Sequence, residues 1–340
     1  MRFFVGIMNH YIDNIAEKLL GYKGFHYPVV DIQGNKTKQN LISHITVWLN
    51  QFDENERETL ARLTSYLLDN FFVEEDEEIF YIKSLFQDSS INQNGLVATP
   101  LIIQGNGRSQ SELVQIYQNY VDEKNYRYNP KLFIYLDDFM FSGGRVFSDL
   151  SNYFSRIQEN NHIIISLMGA FSYSLWNCRN KIQIKINELY SNKQVYVKID
   201  WKIYTEFENR LSKNYCSDIL WPMEGTLNLP DLNLYKLDGF NYRSGFSKSR
   251  LFLNNDDRLF LEKICLKYGY KIIERCTNVH TTTRPLGNSF YNYGFGGLIF
   301  NYRNCPNNVP LIFWWGSNNQ ENPMFQQWYP LIPRRGYNNG

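Results

Sequence analysis

The spacing of apolar side chains predicts a helical first stretch. Ile12, Ile15 and Leu19 recur at helical intervals within residues 9–22, and similar stripes recur over residues 38–72. These patterns predict one helix over residues 9–22 and two helices within residues 38–72. The acidic run 74–78 precedes a further apolar stripe, and acids in a first turn complement the helix dipole. We therefore interpret that run as the solvated start of a fourth helix.

The middle of the chain alternates short apolar runs with helical segments. Strands separated by helices imply parallel pairing with right-handed crossovers, and ligands of such sheets bind at the carboxyl ends of the strands. The strands are predicted near residues 100–104, 132–137, 163–168 and 195–199, and the intervening helices over residues 112–121, 146–157 and 171–190.

After residue 205 this alternation weakens. Helices are predicted over residues 206–212 and 255–268, and strands near residues 298–302 and 310–315. The whole pattern predicts an α/β protein with a mostly parallel sheet. Its predicted regions are a helical N-terminal region (residues 1–90), an α/β core (91–204) and a C-terminal α+β extension packed on the core (205–340).

Composition narrows the classes of function. A chain of 340 residues with a formal net charge of +1 has no global field that recruits nucleic acid, so any such contact needs a local patch. Its five cysteines are scattered and form no CxxC pair, which signals neither a disulfide framework nor a zinc site. No apolar run is long enough to span a bilayer. A reduced, cytoplasmic setting is the simplest interpretation.

The stretch with the clearest chemistry is residues 131–149. An apolar strand ends in Asp137 and Asp138, three apolar residues follow, and Ser142-Gly143-Gly144 leads into a predicted helix. The free amides at a helix start bind anions, and paired glycines let the backbone approach a phosphate. Carboxylates just upstream suit sugar hydroxyls or a hydrated Mg²⁺ ion. An acidic strand end followed by an ordinary turn is the alternative.

This order resembles the phosphoribosyl pyrophosphate (PRPP) loop of the type I phosphoribosyltransferases. The resemblance implies that Asp137 and Asp138 face the ribose hydroxyls as catalytic and Mg²⁺-binding residues. It also implies that the turn wraps the 5′-phosphate. Arg145 departs from the family pattern, which has a small hydroxyl residue there, so phosphate contact would be ionic or the side chain would bend outward. The implied phosphate-binding residues are Phe141, Ser142, Gly143, Gly144 and Arg145.

A second loop lies one strand and one helix earlier, at residues 104–111. In phosphoribosyltransferases the pyrophosphate-binding loop occupies this place, and small and polar residues are suitable diphosphate contacts. A plain loop between a strand and a helix is the alternative. The predicted ligand-binding residues here are Gly105, Asn106, Gly107, Arg108 and Ser109.

Further motifs along the chain resemble the phosphoribosyltransferase-like effectors of bacterial conflict systems, called PRTase-CE. These effectors occur beside reverse transcriptases in some retron anti-phage systems. The resemblance therefore implies an antiviral, toxic effector with a reverse transcriptase and its noncoding RNA or DNA as partner. The motifs are Trp48 with Phe52, Arg284-Pro285-Leu286-Gly287, the Gly-Phe-Gly turn, Pro306-Asn307-Asn308, Trp314-Trp315 and the closing Trp-Tyr-Pro-Leu-Ile-Pro-Arg-Arg.

Several isolated residues allow both a functional and a structural interpretation. His280 suits ligand contact or acid–base chemistry, although a lone loop histidine is more often structural. Arg284 is a predicted ligand contact, and Arg334 and Arg335 could add charge to a phosphate-rich site, while terminal arginines are more often solvated. Trp314, Trp315 and Trp328 are interpreted as core or interface aromatics rather than base-stacking platforms.

Two functional hypotheses follow. In the first, the protein is an enzyme that uses Mg²⁺ to promote chemistry at the anomeric carbon of a ribose 5-phosphate derivative. In the second, the fold senses PRPP or a nucleotide, or docks a reverse transcriptase–nucleic acid complex, without turnover. Oligomerisation is compatible with either hypothesis.

Overall fold

The structure is a computed structural model of the chain. It describes residues 2–26, 29–31, 35–105, 107–210, 216–222, 249–276, 280–289, 293–318 and 327–334. The backbone groups into two compact units. We call Glu75–Arg210 the sheet unit, and Met1–Glu74 together with Leu211–Gly340 the terminal unit.

The helices and strands follow one another in an α/β order. In chain order they are α1 (Arg2–Leu19), α2 (Lys38–Leu49), α3 (Glu54–Phe71), β1 (Phe72–Val73), α4 (Glu75–Leu85), β2 (Asn92–Gln93), β3 (Leu96–Pro100), α5 (Ser109–Glu123), β4 (Arg127–Met140), α6 (Gly144–Phe154), β5 (Asn161–Phe171), α7 (Ser172–Tyr190), β6 (Val197–Phe207), α8 (Asn255–Glu274), β7 (Phe300–Asn301) and α9 (Leu311–Trp314).

The sheet unit is built on five strands in the spatial order β2-β3-β4-β5-β6. Strand β2 is antiparallel to β3, and the pairs β3–β4, β4–β5 and β5–β6 are all parallel. One helix connects each successive parallel pair, as the alternation of apolar runs predicted. The predicted mostly parallel α/β fold is therefore confirmed, with β4 in the middle of the sheet.

The two faces of the sheet are covered by different helices. On one face, Tyr135, Ile163 and Ile165 pack into a core with apolar side chains of α6 and α7. On the other face, the Tyr81 hydroxyl of α4 lies 2.6 Å from the Oγ of Ser166. Both faces of the central strands are thus buried, which explains why β5 is apolar at almost every position.

Two predicted elements of the sheet unit differ from the structure. Strand β3 ends at Pro100. Beyond it, the backbone bonds to the side chain of Gln110: Gln110 Nε2 donates to Leu101 O, and Gln110 Oε1 accepts from the backbone amides of Ile103 and Gln104. The predicted helix over 206–212 is wrong at its start, because β6 continues to Phe207, which packs 5.4 Å from Phe171 between ring centroids. Residues 211–215 lie outside the described residues.

The terminal unit packs its C-terminal segment against its first helices. His44 in α2 lies 2.6 Å from the Tyr329 hydroxyl and 2.7 Å from the carbonyl oxygen of Leu331. The Trp48 indole donates to Ile312 O at 2.9 Å. Trp314 and Trp328 are buried, in agreement with their interpretation as core aromatics.

One predicted strand of the terminal unit is wrong. The run at 310–315 forms the short helix α9 rather than a strand, and all four residues of α9 are buried. A short apolar run that is buried on all sides has no periodicity to distinguish the two structures, and Pro310 immediately before it suits a helix start. The other predicted strand, near 298–302, is present as β7, which pairs in parallel with β1.

The two compact units divide the chain at other residues than the three predicted regions do. Helix α4 groups with the sheet, and the first 74 residues group with the residues after 210. The division into regions 1–90, 91–204 and 205–340 stays a prediction about folding domains. In the part of the chain that the structure describes, none of the helices combines the length and the apolar character needed to cross a bilayer.

Candidate functional site

The turn between β4 and α6, where the sequence predicts a phosphate-binding loop, contains a left-handed glycine at the start of the helix. Gly143 precedes the first residue of α6 with a φ of +76°, a left-handed conformation that favours glycine. A Cβ atom there would lie 3.0 Å from the Cβ of Cys178 and 3.3 Å from the carbonyl oxygen of Ser174. Both the conformation and the close packing on α7 therefore require glycine at this position.

The predicted phosphate-binding residues divide into an exposed group and a buried anchor. Ser142, Gly144 and Arg145 are exposed at the start of α6, and the Gly144 amide lies 3.4 Å from the Ser142 Oγ. Phe141 is buried, with its ring centroid 5.3 Å from that of Phe171. Three of the five predicted residues are thus exposed, while Phe141 packs the turn against the sheet. The start of a helix is a place where backbone amides can bind an anion.

The two carboxylates do not end the strand, which corrects the sequence-based expectation. Asp137 is in register with Leu167, and β4 continues through Phe139 and Met140, which pair with β5. A Cβ at Gly169 would collide with the ring of Phe139, so the glycine of β5 makes room for that ring. Sequence patterns missed this continuation because two acids in the middle of a strand read as its end.

Asp137 is buried, with only 5% of its surface exposed. Its Oδ1 accepts from the Ser109 hydroxyl at 2.7 Å and from the Asp138 amide at 3.0 Å, and its Oδ2 lies 3.3 Å from the Tyr135 hydroxyl. Burial, followed by the charge of Asp138, raises the pKa of Asp137 to about 7. Asp137 is therefore a buried carboxyl group rather than an exposed acid at the end of a strand.

Asp138 has the opposite orientation and is only half-buried. Its Oδ1 accepts from the Phe139 amide at 2.7 Å. Because consecutive side chains of a strand point to opposite faces, the two acids lie on opposite faces of the sheet. Of the pair, Asp138 is the carboxylate closer to solvent.

The second predicted loop meets the first through Ser109. Gly105 and Gly107 are exposed, Gly107 has a φ of +80°, and Arg108 is half-buried immediately before α5. Ser109 is the first residue of α5, and its bond to Asp137 joins this loop to β4. The structure thus brings Ser109 to Asp137 on the central strand of the sheet, while Asn106 lies outside the described residues.

A hydrogen-bonded network behind the two loops was not predicted. The Tyr135 hydroxyl donates to Asp149 Oδ2 at 2.9 Å, and the side-chain Nε2 of Gln104 donates to the same oxygen at 2.7 Å. Tyr135 could have been found, since it lies two residues before Asp137 and so on the same face of β4. Asp149 and Gln104 gave no such signal, because their contact depends on how α6 packs.

The remaining candidates belong to the terminal unit. His280 is exposed and bonds locally, with its Nδ1 2.8 Å from the Thr282 hydroxyl. Arg284 donates from Nη1 to Thr283 O at 3.0 Å, and the Arg334 guanidinium lies 5.2 Å from the ring centroid of Trp314. Arg335 lies outside the described residues. Within the described ranges, no cluster of three or more His, Cys, Asp or Glu residues could hold a metal ion.

The mostly parallel sheet and the glycine turn after β4 are consistent with a phosphoribosyltransferase-like α/β fold. A comparison with family models agrees: the model described as PRTase-CE matches residues 45–334. The chain therefore belongs to the PRTase-CE family. Searches of curated proteins and of solved structures found no match.

Proposed function

We propose that this protein binds PRPP or a related nucleotide together with Mg²⁺ at the turn after β4 and acts at the anomeric carbon of the ribose. The observation that supports this most directly is the left-handed Gly143 at the start of α6, with two carboxylates upstream on the same strand. The bond between Ser109 and Asp137 adds a second loop, with two exposed glycines, beside that turn.

The proposed ligand would bind in two parts. The 5′-phosphate would accept hydrogen bonds from backbone amides at the start of α6, with Arg145 as an added positive charge. The pyrophosphate would contact the loop of Gly105 to Ser109. This loop would stabilise the negative charge that develops on the leaving group in an oxocarbenium-like reaction.

The residues present fit Mg²⁺ in part. Mg²⁺ prefers one or two carboxylates with ligand phosphate oxygens and water, and Asp138 offers a half-exposed carboxylate for that purpose. Bound there, the ion would neutralise charge on the phosphates. The predicted metal-binding role of Asp137 stays a proposal. To bind the ion, its Oδ2 would first have to give up its contact with the Tyr135 hydroxyl. In our proposal Asp137 holds Ser109 and the Asp138 backbone, and Asp138 faces the ligand.

The inward orientation of Asp137 also favours the second hypothesis, a nucleotide sensor or docking subunit without turnover. A carboxylate that already accepts from Ser109 and the Asp138 amide is less suited to grip both ribose hydroxyls. Such a subunit would bind the ligand and transmit its presence to a partner. A reverse transcriptase–nucleic acid complex is the partner that the family resemblance implies.

Calorimetric titration with PRPP and Mg²⁺, followed by an assay for pyrophosphate release, separates these hypotheses. Binding with release supports the enzyme, and binding without release supports the sensor. Absence of binding to PRPP and to nucleotides in the wild type would overturn both the enzyme and the nucleotide sensor, and co-purification with the partner would then test the docking subunit.

We further propose that the protein is an effector of an anti-phage system, with the retron type as the setting implied by the resemblance. The net charge of +1 suggests that a partner, rather than this chain, supplies most of the grip on nucleic acid. Co-purification with the reverse transcriptase, before and after nuclease treatment, tests the partner. Loss of phage protection on deletion of this chain alone tests its role as effector.

A further inference from the structure

The side chains along the outer strand β6 are complementary to those of a second β6 strand that runs in the opposite direction. Strand β6 is the last strand of the sheet, and in the described part of the chain only β5 pairs with it. Its eleven residues make it a long edge strand, with Tyr196 beside it 68% exposed and Tyr204 62% exposed. Long edge strands are templates for pairing with another chain.

The parallel ladder determines which backbone groups of β6 face outward. The Asn161 amide donates to Tyr196 O, and Asn161 is in register with Val197. In such a ladder, the even-numbered residues of β6 direct their N–H and C=O groups to β5. The odd-numbered residues from Val197 to Thr205 therefore direct theirs to the free edge.

We propose that two copies of this chain associate through antiparallel pairing of β6 with β6, about a two-fold axis at Trp201. An isologous interface of this kind requires that the strand be complementary to its own reverse. Around Trp201, Ile199 faces Ile203 of the other copy and Asp200 faces Lys202 of the other copy. Each opposite-charge pair occurs twice, and the apolar pairs lie on the opposite face of the extended sheet.

Neighbouring registers lack this complementarity. With the two-fold axis at Asp200, Asp200 faces Asp200 of the other copy, and with the axis at Lys202, Lys202 faces Lys202 of the other copy. With the axis at Ile203, Asp200 faces Glu206 of the other copy. An axis at Ile199 keeps opposite charges together but pairs Thr205 with residues before the start of β6. Like charges directly opposite each other destabilise a strand pair, so the register at Trp201 is favoured.

The surroundings of Trp201 add side chains typical of interfaces. The Arg179 guanidinium of α7 lies 5.3 Å from the ring centroid of Trp201, and Trp176 in the same helix is 59% exposed. Trp, Tyr and Arg contribute most of the binding energy of many interfaces. At a two-fold axis through Trp201, the α7 helices of both copies would lie on the same face of the joined sheets.

The charges of this surface also have partners within the chain. Asp200 bonds Lys198 at 2.8 Å and His162 at 2.7 Å, and Lys202 bonds Asp88 at 2.6 Å. These pairs are partly exposed and contribute little to folding stability. Substitutions at Asp200 and Lys202 therefore test association with little effect on the fold.

The test is a charge swap in the full chain, read by analytical ultracentrifugation over a range of protein concentrations. We expect a dimer for the wild type and, for Asp200→Lys, a Kd raised about tenfold or more, since two like-charge pairs replace two opposite pairs. The double variant Asp200→Lys with Lys202→Asp should restore the wild-type Kd. Lys198→Glu is the matched control, because Lys198 faces Tyr204 in this register and the dimer should persist.

The outcomes distinguish this interface from others. A wild type that stays monomeric, a dimer that Asp200→Lys does not weaken, or a swap that fails to restore it would each overturn the proposal. Loss of the dimer in Lys198→Glu would show the register at Ile199 instead, and so contradict the one proposed. As a second readout, hydrogen exchange at the Trp201 amide should slow as the protein concentration rises.

Discussion

The Oγ of Ser109 lies 2.7 Å from the Oδ1 of Asp137, which joins the first residue of α5 to the interior of β4. Through this single bond, a buried carboxylate holds the start of a helix whose preceding loop is rich in glycine. The order of that loop therefore depends on Asp137. An acid that resembles a ligand contact in the sequence serves as a support in the structure.

We predict that Ser109→Ala weakens the hold on the loop. Loss of a hydrogen bond to a buried carboxyl group should lower the free energy of unfolding by about 1 to 2 kcal/mol. Faster hydrogen exchange at residues 107–110 is the more specific readout. Ser111→Ala is the control, since no hydrogen bond from Ser111 to β4 occurs within the described residues. Equal exchange in both variants would contradict the supporting role.

Asp138→Asn should separate ligand binding from stability. Asn keeps an oxygen for the Phe139 amide but removes the charge, so Mg²⁺-dependent affinity for PRPP should fall about tenfold or more. The free energy of unfolding should change by less than about 0.5 kcal/mol, because Asp138 is half-buried. The double variant with Asp137→Asn should abolish binding. Retention of full affinity in the double variant would exclude this site.

Gly143→Ala should destabilise the turn, whereas Gly144→Ala should not. The first change places a side chain at a φ of +76° and 3.0 Å from Cys178 Cβ, and we expect a loss of about 1 to 3 kcal/mol. The second places a methyl group 3.6 Å from the Ser142 Oγ inside α6, where alanine is favourable. Urea denaturation of both variants measures the difference, and equal midpoints would argue against a strained turn.

Ser142→Asp tests whether the turn is the working part of the effector. Ser142 is exposed, so the fold should tolerate the change. A carboxylate beside the amides at the start of α6 should repel a 5′-phosphate, and growth arrest after triggering of the partner should vanish. Ser142→Asn supplies the same shape without the charge and should remain toxic. Equal toxicity of the wild type and Ser142→Asp would mean that the Ser142-Gly143-Gly144 turn is not needed for growth arrest.

The terminal unit should lose stability in acid through His44. Burial lowers the pKa of His44 to about 4 from its ordinary value of 6.5, against the opposing bond to Leu331. As the pH falls from 6.5 to 4, the unfolded chain gains a proton that the folded chain does not. The free energy of unfolding should therefore fall by about 3 kcal/mol across this window.

His44→Gln provides the control for this pH dependence, because it keeps a donor for Leu331 O but cannot titrate. Denaturation of both proteins at pH 7, 5.5 and 4.5 measures the effect as the difference between their slopes. All other titrating groups are common to the two proteins. Parallel slopes would show that His44 does not titrate differently in the folded state.

Local patterns in the chain sufficed for the sheet and for one turn. The strand at 132–137, the Ser142-Gly143-Gly144 turn and the helix after it carry their information in adjacent residues, so apolar spacing and glycine chemistry predicted them. The orientation of Asp137 was not accessible in this way. It depends on Ser109, which becomes a neighbour of Asp137 only when α5 packs on β4.

The errors in secondary structure have related causes. Residues 206 and 207 are paired with Ala170 and Phe171 of β5, and this long-range pairing outweighs the helical appearance of the local sequence. In α9, four buried apolar residues have no polar face to reveal the period. Both errors lie where tertiary contacts, rather than local preference, decide the structure.

The division of the chain also has a consequence for the order of synthesis. The sheet unit is one continuous stretch, so all of its residues have been made once residue 210 has left the ribosome. The terminal unit joins both ends of the chain: the Tyr22 hydroxyl bonds Pro333 O across a separation of 311 residues. This contact can form only after nearly the last residues have been made. A messenger truncated after residue 300 would therefore encode the whole sheet unit, including the turn at Gly143, but not the C-terminal segment that contacts the beginning of the protein.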